Sequence, residues 1–159
     1  MKRIRRIKID SLQKDLLRLP EDQLRQIVGG GEDPVSIKGG TIQNTDQGVV
    51  WMGDDGRSCT FYGVSFSVGG LCLDDSAYQL SGTIRIGREW LEDGFSVYDF
   101  AHEFGHYLQQ CEYGTLNYIT DVAIPSAWDS ATNRSQHSSQ PYEKDATKRG
   151  DEYLKKNLK

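Results

Sequence analysis

The chain has 159 residues, of which 36% are hydrophobic, and a formal net charge of −4. This length fits one globular domain with its own core better than two. No run approaches the roughly 18 uninterrupted apolar residues that a membrane-spanning helix needs, so no stable membrane insertion is expected. Residues 1–30 carry eight basic and four acidic side chains (net +4), which leaves eleven basic and nineteen acidic ones (net −8) for residues 31–159. A body this acidic lacks the basic surface that binds phosphates, so nucleic acid is not an expected partner.

Residues 1–30 predict an amphipathic helix that ends at a run of glycines. Charged residues recur every few positions and leave no apolar core for a secretory signal peptide. Apolar residues recur at spacings of three to five, which is helical spacing, and Gly29–Gly31 end the pattern. One interpretation is a helix that packs on the body, with the glycines as its C-cap and linker. The other is a leader segment that is removed from a precursor.

The same segment resembles the double-glycine leader peptides of bacteriocin-type precursors. Counting back from the Gly29–Gly30 pair, the apolar positions of that family fall on Ile27, Leu24, Leu19 and Leu16. The resemblance implies an ABC exporter with a cysteine peptidase domain as partner, a cytoplasmic precursor, and a secreted mature domain of residues 31–159. Apolar side chains can dock in a groove while residues without Cβ thread a narrow protease cleft. Gly31 makes a triple glycine, so the exact cleavage position stays open.

The segment from Thr41 to Ile86 predicts three to five short strands, mostly antiparallel. Apolar, β-branched and aromatic residues flank Asp54-Asp55-Gly56, which is a hairpin turn signal. The stretch LSGTIRIG adds a strand with Ile84 and Ile86 on one face. The doublets Asp54-Asp55 and Asp74-Asp75 lack the spaced oxygen ligands of a calcium loop, and turn chemistry explains them better.

The three cysteines, Cys59, Cys72 and Cys111, have no C-x-x-C spacing and are odd in number. They therefore indicate neither a cysteine-rich zinc site nor a complete disulfide framework. Unpaired thiols are the expected state, and a bridge between Cys59 and Cys72 is the alternative.

Residues 97–112 predict a helix. Ser96 with Asp99 three positions later forms a capping-box pattern at its start. Apolar side chains follow at helical spacing and give the helix a buried face: Val97, Phe100, Phe104, Leu108 and Cys111.

This helix carries the motif His102-Glu103-x-x-His106. Histidines four residues apart lie on one side of a helix, so both imidazoles can bind one zinc ion. Glu103 is rotated by about a third of a turn, where it can take a proton from water instead of coordinating the ion. Gly105 costs a helix about 1 kcal/mol relative to alanine, which indicates that a strand or a substrate approaches it closely. The alternative interpretation is three polar residues on an exposed helical face.

A catalytic zinc ion usually has three protein ligands, so a third one is needed. Glu112 should continue along the helix and away from the ion, because Gln109 stands where related motifs break the helix with glycine. Residues 139–150 predict a second helix that begins near Pro141 and carries Glu143 in its first turn. Small residues further along it, Ala146 and Gly150, would let it approach the first helix closely.

Glu143 is therefore the predicted third ligand, in an arrangement similar to the E-x-x-A helix of gluzincins. A role as partner of the helix dipole is its alternative, and Asp145 is the alternate carboxylate. His137 lies in a polar stretch, and three interpretations of it stay open: a solvated residue, a metal ligand, or a hydrogen-bond donor to the developing oxyanion. Tyr142 and Tyr153 are weaker candidates for that donor role.

The stretches HEFGHYLQQCEYGTLNYITDVAIPSAWDS and HSSQPYEKDATKRGDEYL resemble the C-terminal zincin-like metallopeptidase modules of bacterial RHS-type polymorphic toxins. The match covers roughly residues 84–154. The resemblance implies His102, His106 and Glu143 as zinc ligands and Glu103 as the general base. Thr147 departs from the family pattern, which usually has asparagine there, and this chain carries no repeat shell.

Together these patterns predict an α+β, zincin-like fold with a short, mostly antiparallel sheet, an HExxH helix and a second C-terminal helix. The expected function is a secreted zinc metallopeptidase that hydrolyses peptide or other amide bonds, as a toxin or effector. Its expected partners are a peptide or protein substrate, the exporter and an immunity protein. The alternative is a non-catalytic secreted binding protein that keeps zinc for structure, with His137 as fourth ligand. A membrane-disrupting bacteriocin is disfavoured, because the acidic body has no cationic amphipathic helix.

Overall fold

A computed structural model describes residues 33–69, 76–132 and 134–159. The leader-like segment of residues 1–30, Cys72 and the doublet Asp74-Asp75 lie outside these ranges, and so do the predictions made for them. Within the described part, Cys59 is a free, buried thiol and Cys111 a free, exposed one.

The first sheet is an antiparallel meander of four short strands in the order β1-β2-β3-β4. The strands are β1 Val35–Ile37, β2 Gly40–Thr45, β3 Gly48–Gly53 and β4 Ser58–Tyr62. The predicted turn at Asp54-Asp55-Gly56 joins β3 to β4. There the backbone N–H of Gly56 donates to the carbonyl of Gly53, and that of Arg57 to the Asp55 side chain at 3.0 Å. The interpretation of Asp54-Asp55 as turn residues is confirmed.

The second sheet has three strands in the order β5-β7-β6, and its first pair is parallel. The strands are β5 Ser65–Val68, β6 Ala77–Leu80 and β7 Thr83–Ile86. Ile84 and Ile86 of β7 are fully buried on one face, as predicted. The prediction of three to five strands from Thr41 was too low and began too late. Strands of three or four residues, such as β1, contain too few alternations for period-two patterning to reveal them.

The helices follow the strands in the chain, which makes the fold α+β as expected. They are α1 Arg88–Asp93, α2 Val97–Tyr113, α3 Thr115–Tyr118, a π-helical turn Ile119–Ala123, α4 Ile124–Thr132, α5 Arg134–His137 and α6 Pro141–Asn157. Helix α2 begins with the predicted capping box, in which the Ser96 backbone N–H donates to Asp99 Oδ2 at 2.8 Å. No helix in the described ranges combines the length and apolarity needed to cross a membrane.

Phe61 of β4 anchors the first sheet to the helices. Its ring centroid lies 5.0 Å from that of Phe100 and 5.2 Å from that of Phe104, both on α2, and 5.8 Å from that of Tyr153 on α6. All three phenylalanines are at most 1% exposed. Aromatic contacts of this kind bury large apolar areas, so the sheet fixes the positions of α2 and α6 together.

Helices α2 and α6 pack backbone against backbone. A Cβ atom added at Gly105 would lie 1.9 Å from the carbonyl oxygen of Ala146, and one added at Gly150 would lie 2.0 Å from that of Ala101. Both distances are far below van der Waals contact. The predicted close approach of the second helix through its small residues is therefore confirmed, whereas the neighbour of Gly105 is this helix and not the strand or substrate expected.

We expect Gly150→Ala to lower the free energy of unfolding by about 1–3 kcal/mol, because the added methyl group forces the two helices apart. In an unobstructed helix the same change would stabilise by about 1 kcal/mol, so the sign of the effect is diagnostic. Lys148→Ala, at an exposed position of the same helix, is the control and should change stability by less than about 0.5 kcal/mol. Urea unfolding followed by circular dichroism measures both. A stabilised Gly150→Ala would contradict the close helix contact.

Candidate metal centre

Helices α2 and α6 bring the three predicted ligand side chains together. His102 Nε2 lies 3.1 Å and His106 Nε2 lies 3.2 Å from the same atom, Oε2 of Glu143. One ligand atom from each residue lies within 4.8 Å of the others. Glu143 is 2% exposed and His106 6%. This cluster can hold a metal ion.

A glutamine determines which ring nitrogen of His106 carries the proton. Gln109 Nε2 donates to the carbonyl oxygen of Tyr142 at 2.8 Å and to Asp145 Oδ2 at 2.9 Å, so its Oε1 is left as an acceptor. That Oε1 lies 2.9 Å from His106 Nδ1. Nδ1 must therefore be the protonated nitrogen of a neutral His106, which leaves a lone pair on Nε2.

A threonine does the same for His102. The single hydroxyl proton of Thr147 is donated to the backbone carbonyl of Glu143 at 3.0 Å. Its oxygen lies 2.9 Å from His102 Nδ1 and accepts a hydrogen bond from it. Thr147, the position that departs from the toxin pattern, thus contacts a predicted ligand directly and holds the two helices together at the site.

With both Nδ1 atoms protonated, two imidazole lone pairs face a carboxylate oxygen. Three electron-pair donors at this distance repel one another unless a proton or a metal ion lies between them. Burial lowers the pKa of His106, but the hydrogen bond with Glu143 and the charge of Glu103 outweigh it and raise that pKa. Burial also raises the pKa of Glu143, yet hydrogen bonds from the protonated, positively charged forms of His102 and His106 leave it well below its usual range. Both shifts reflect a site that favours positive charge at its centre.

The second oxygen of Glu143 is engaged by other partners. Ser126 Oγ donates to Oε1 at 2.7 Å, and His137 Nε2 lies 3.4 Å from the same atom. These contacts leave Oε2 alone to face the two histidines. His137 therefore borders the cluster through Oε1 of Glu143, and its Nδ1 is buried without a hydrogen-bond partner among the described residues.

Glu103 lies beside the cluster with part of its carboxylate unpaired. It is 5% exposed, and its Oε2 has no hydrogen-bond partner within the described part of the chain. Burial raises the pKa of Glu103, the charges of His106 and His102 oppose that shift, and Glu143 adds to it. A buried carboxylate oxygen without a partner costs free energy, so Glu103 does not owe its position to a stabilising contact of Oε2 with the described residues.

The chain from Thr115 to Thr132 forms a wall along the site. Tyr118 is 2% exposed and its ring centroid lies 6.4 Å from that of His106. Ser126, which donates to Oε1 of Glu143, belongs to the same wall. The π-helical turn between α3 and α4 inserts one extra residue per turn, which is a common device near functional sites.

The remaining predicted candidates lie outside the cluster. Glu112 is paired with Arg149 and does not reach the ligands, as expected. Asp145 contacts Gln109 and Arg149 and is not a ligand in this geometry. The hydroxyl of Tyr142 donates to Asp129 at 2.5 Å and that of Tyr153 to the carbonyl of Thr60 at 2.8 Å. Neither hydroxyl is directed at the cluster, so the weaker donor predictions for both tyrosines are wrong.

Sequence reasoning missed the residues that orient the ligands: Gln109, Ser126, Thr147 and Tyr118. Gln109 lies three residues after His106, one helical turn away on the same side, and that spacing was a usable signal. Ser126 and Thr147 belong to stretches that resemble the toxin modules. Nothing in local spacing joins Ser126 to Glu143, because the contact depends on how the wall folds back over α6.

Comparison of the chain with protein-family models, with curated proteins and with solved structures found no match. The interpretation of the site therefore rests on its geometry.

Gln109→Met, which keeps the size of the side chain but removes its amide, should weaken divalent-metal binding about 10- to 100-fold, because His106 loses the group that fixes its tautomer. Gln110→Met is the matched control. Gln110 is the next residue of α2 and is also buried, but it bonds to Gln79 and Thr115 instead of the ligands. Competition with a chromophoric chelator measures both affinities. Equal effects of the two substitutions would contradict the orienting role of Gln109.

Proposed function

We propose that this protein is a zinc-dependent hydrolase of peptide bonds, with His102, His106 and Glu143 as zinc ligands and Glu103 as general base. The observation that supports the proposal is the buried carboxylate of Glu103, whose Oε2 has no hydrogen-bond partner in residues 33–69, 76–132 and 134–159, beside three converging ligand atoms. A metal site that only supports the fold has no need of such a group. The zincin-like modules that the sequence resembles would give these four residues the same roles.

The donor set and spacing support zinc. Two imidazole nitrogens and one carboxylate oxygen are a common ligand set of catalytic zinc. Ligands about 2.0–2.1 Å from a tetrahedral ion lie about 3.3 Å apart. The observed separations of 3.1 and 3.2 Å between the histidine nitrogens and Glu143 Oε2 are close to that value. The hydrogen bonds on both Nδ1 atoms are the second layer that zinc-binding histidines require.

A bound zinc ion would supply Lewis acidity, which polarises a scissile carbonyl and makes a neighbouring water more acidic. Glu103 would accept the proton of that water and later return it to the leaving amine. Burial raises the pKa of Glu103, and the charges of His106 and His102 oppose that shift. Ser126 donates to the other oxygen of Glu143, which leaves Oε2 facing the two histidines, where it would bind the ion.

The biological setting of the proposal comes from the sequence. The resemblance of residues 84–154 to toxin modules supports a secreted toxin or effector, with a peptide or protein as substrate and an immunity protein as partner. The leader-like residues 1–30 support export by an ABC exporter that removes them. The same chemistry would also hydrolyse amide bonds other than peptide bonds.

A closed, non-catalytic zinc site is the second candidate, and His137 is the observation that favours it. Its Nε2 lies 3.4 Å from Glu143 Oε1, within reach of the cluster after a small shift. As a fourth protein ligand it would occupy the position that a catalytic site leaves open to water.

Glu103→Gln should lower hydrolysis by about 10²- to 10⁴-fold, because the amide cannot accept a proton. It should leave zinc content at one ion per chain. The substrate is a proteome-derived peptide library, with products identified by mass spectrometry. The control is Glu152→Gln, the same change at an exposed position of α6. Full activity of the Glu103 variant would contradict its role as base.

Elemental mass spectrometry after exhaustive dialysis should find about one zinc per wild-type chain and almost none in Glu143→Gln, which keeps the shape of the side chain. Removing the carboxylate charge removes a ligand that the two histidines cannot replace. His137→Ala separates the two candidates. Zinc retained with activity supports the open catalytic site, whereas loss of zinc from this variant supports the closed one. A folded wild type without zinc would contradict both.

A further inference from the structure

Three side chains near the candidate metal ligands donate hydrogen bonds to one carboxylate oxygen, Oδ2 of Asp145. Asp145 Oδ2 accepts hydrogen bonds from Gln109 Nε2 at 2.9 Å, from Arg149 Nε at 2.7 Å and from the Tyr113 hydroxyl at 3.3 Å. The Asp145 side chain is 35% exposed and is not one of the predicted ligands. Its connection to His106 runs through Gln109.

The amide of Gln109 has two orientations that differ by exchange of its oxygen and nitrogen. In the orientation fixed by its neighbours, the amide nitrogen faces Asp145 and the Tyr142 carbonyl, and the oxygen accepts from His106 Nδ1. In the opposite one, the amide oxygen would face a carboxylate and a carbonyl. The amide nitrogen would then donate to His106 Nδ1, and the neutral ring would carry its proton on Nε2.

A proton on Nε2 would remove the lone pair that His106 directs at Glu143 Oε2. The orientation of one amide therefore decides whether His106 is ready to bind a metal ion. The negative charge of Asp145 is the stronger of the two acceptors that hold the amide, since hydrogen bonds to ionised groups exceed those to neutral ones. Arg149, which also pairs with Glu112, holds the Asp145 carboxylate in place.

We infer that Asp145 is a positioning residue of the metal centre, which acts through the Gln109 amide to keep His106 in its metal-binding tautomer. The inference rests on the metal site of the proposed function but not on hydrolysis. It gives a role to a carboxylate that sequence reasoning considered only as a substitute ligand.

The test compares Asp145→Ala with Asp151→Ala, which removes the same charge from the same helix at a partly exposed position that contacts neither Gln109 nor the ligands. Zinc affinity is measured by chelator competition. We expect Asp145→Ala to bind zinc about tenfold more weakly and Asp151→Ala to stay within about twofold of the wild type. Asp145→Asn, which keeps an acceptor oxygen without the charge, should fall between them.

A second measurement reads the tautomer itself. Long-range proton–nitrogen NMR spectra of the metal-free protein, recorded where the imidazole is neutral, report which ring nitrogen of His106 carries the proton. In the metal-free protein Glu143 Oε2 favours a proton on Nε2 and the Gln109 amide favours one on Nδ1, so the Nδ1-protonated fraction should be larger in the wild type than in Asp145→Ala. A change in stability alone would not move this signal.

The Gln109→Met background completes the test. There Asp145→Ala should cause no further loss of zinc affinity, because the amide through which it acts is gone. The same loss in both backgrounds would overturn the inference, and so would equal effects of Asp145→Ala and Asp151→Ala or an unchanged tautomer. A wild type that binds zinc but hydrolyses nothing would contradict the proposed enzyme and leave this result standing.

Discussion

The contact between the backbones of α2 and α6 is the constraint on which the rest of the site depends. At Gly105 and Gly150 there is no room for a side chain, because the carbonyl oxygens of Ala146 and Ala101 occupy that space. Only this spacing brings Oε2 of Glu143 within 3.2 Å of the histidine nitrogens. Two helices at the usual separation of 8–10 Å, set by larger side chains, would leave the carboxylate short of both rings.

The same contact determines how the ligands are oriented. Thr147 on α6 accepts from His102 on α2, and Gln109 on α2 donates to the backbone of Tyr142 on α6. Each helix thus fixes side chains of the other, and each bond needs the short separation that the glycines allow. Packing and ligand orientation are therefore coupled: a substitution that moves the helices apart should weaken the metal site even when every ligand is retained.

The sheet contributes rigidity rather than chemistry. Phe61 packs against Phe100 and Phe104 on α2 and against Tyr153 on α6, so both helices are anchored to one hydrophobic core. The wall from Thr115 to Thr132 contacts the site through two side chains. Ser126 donates to Glu143, and the ring of Tyr118 lies near that of His106. This division suits the proposed reaction, since a buried base and three ligands must be held in fixed geometry before substrate arrives.

The sequence by itself determined helix α2 and the placement on it of the candidate ligands His102 and His106 and of the proposed base Glu103, because these depend on spacing within one helix: the histidines are four apart, and Glu103 is offset from both. It also predicted the small-residue face of α6 and Glu143 in its first turn, since glycine inside a helix indicates close packing. Only the tertiary structure decided the strand pairing, the contact of Ser126 with Glu143 and the bond from Gln109 to Asp145. The last two contacts join residues that are 17 and 36 positions apart, and local periodicity contains no information about which distant groups meet.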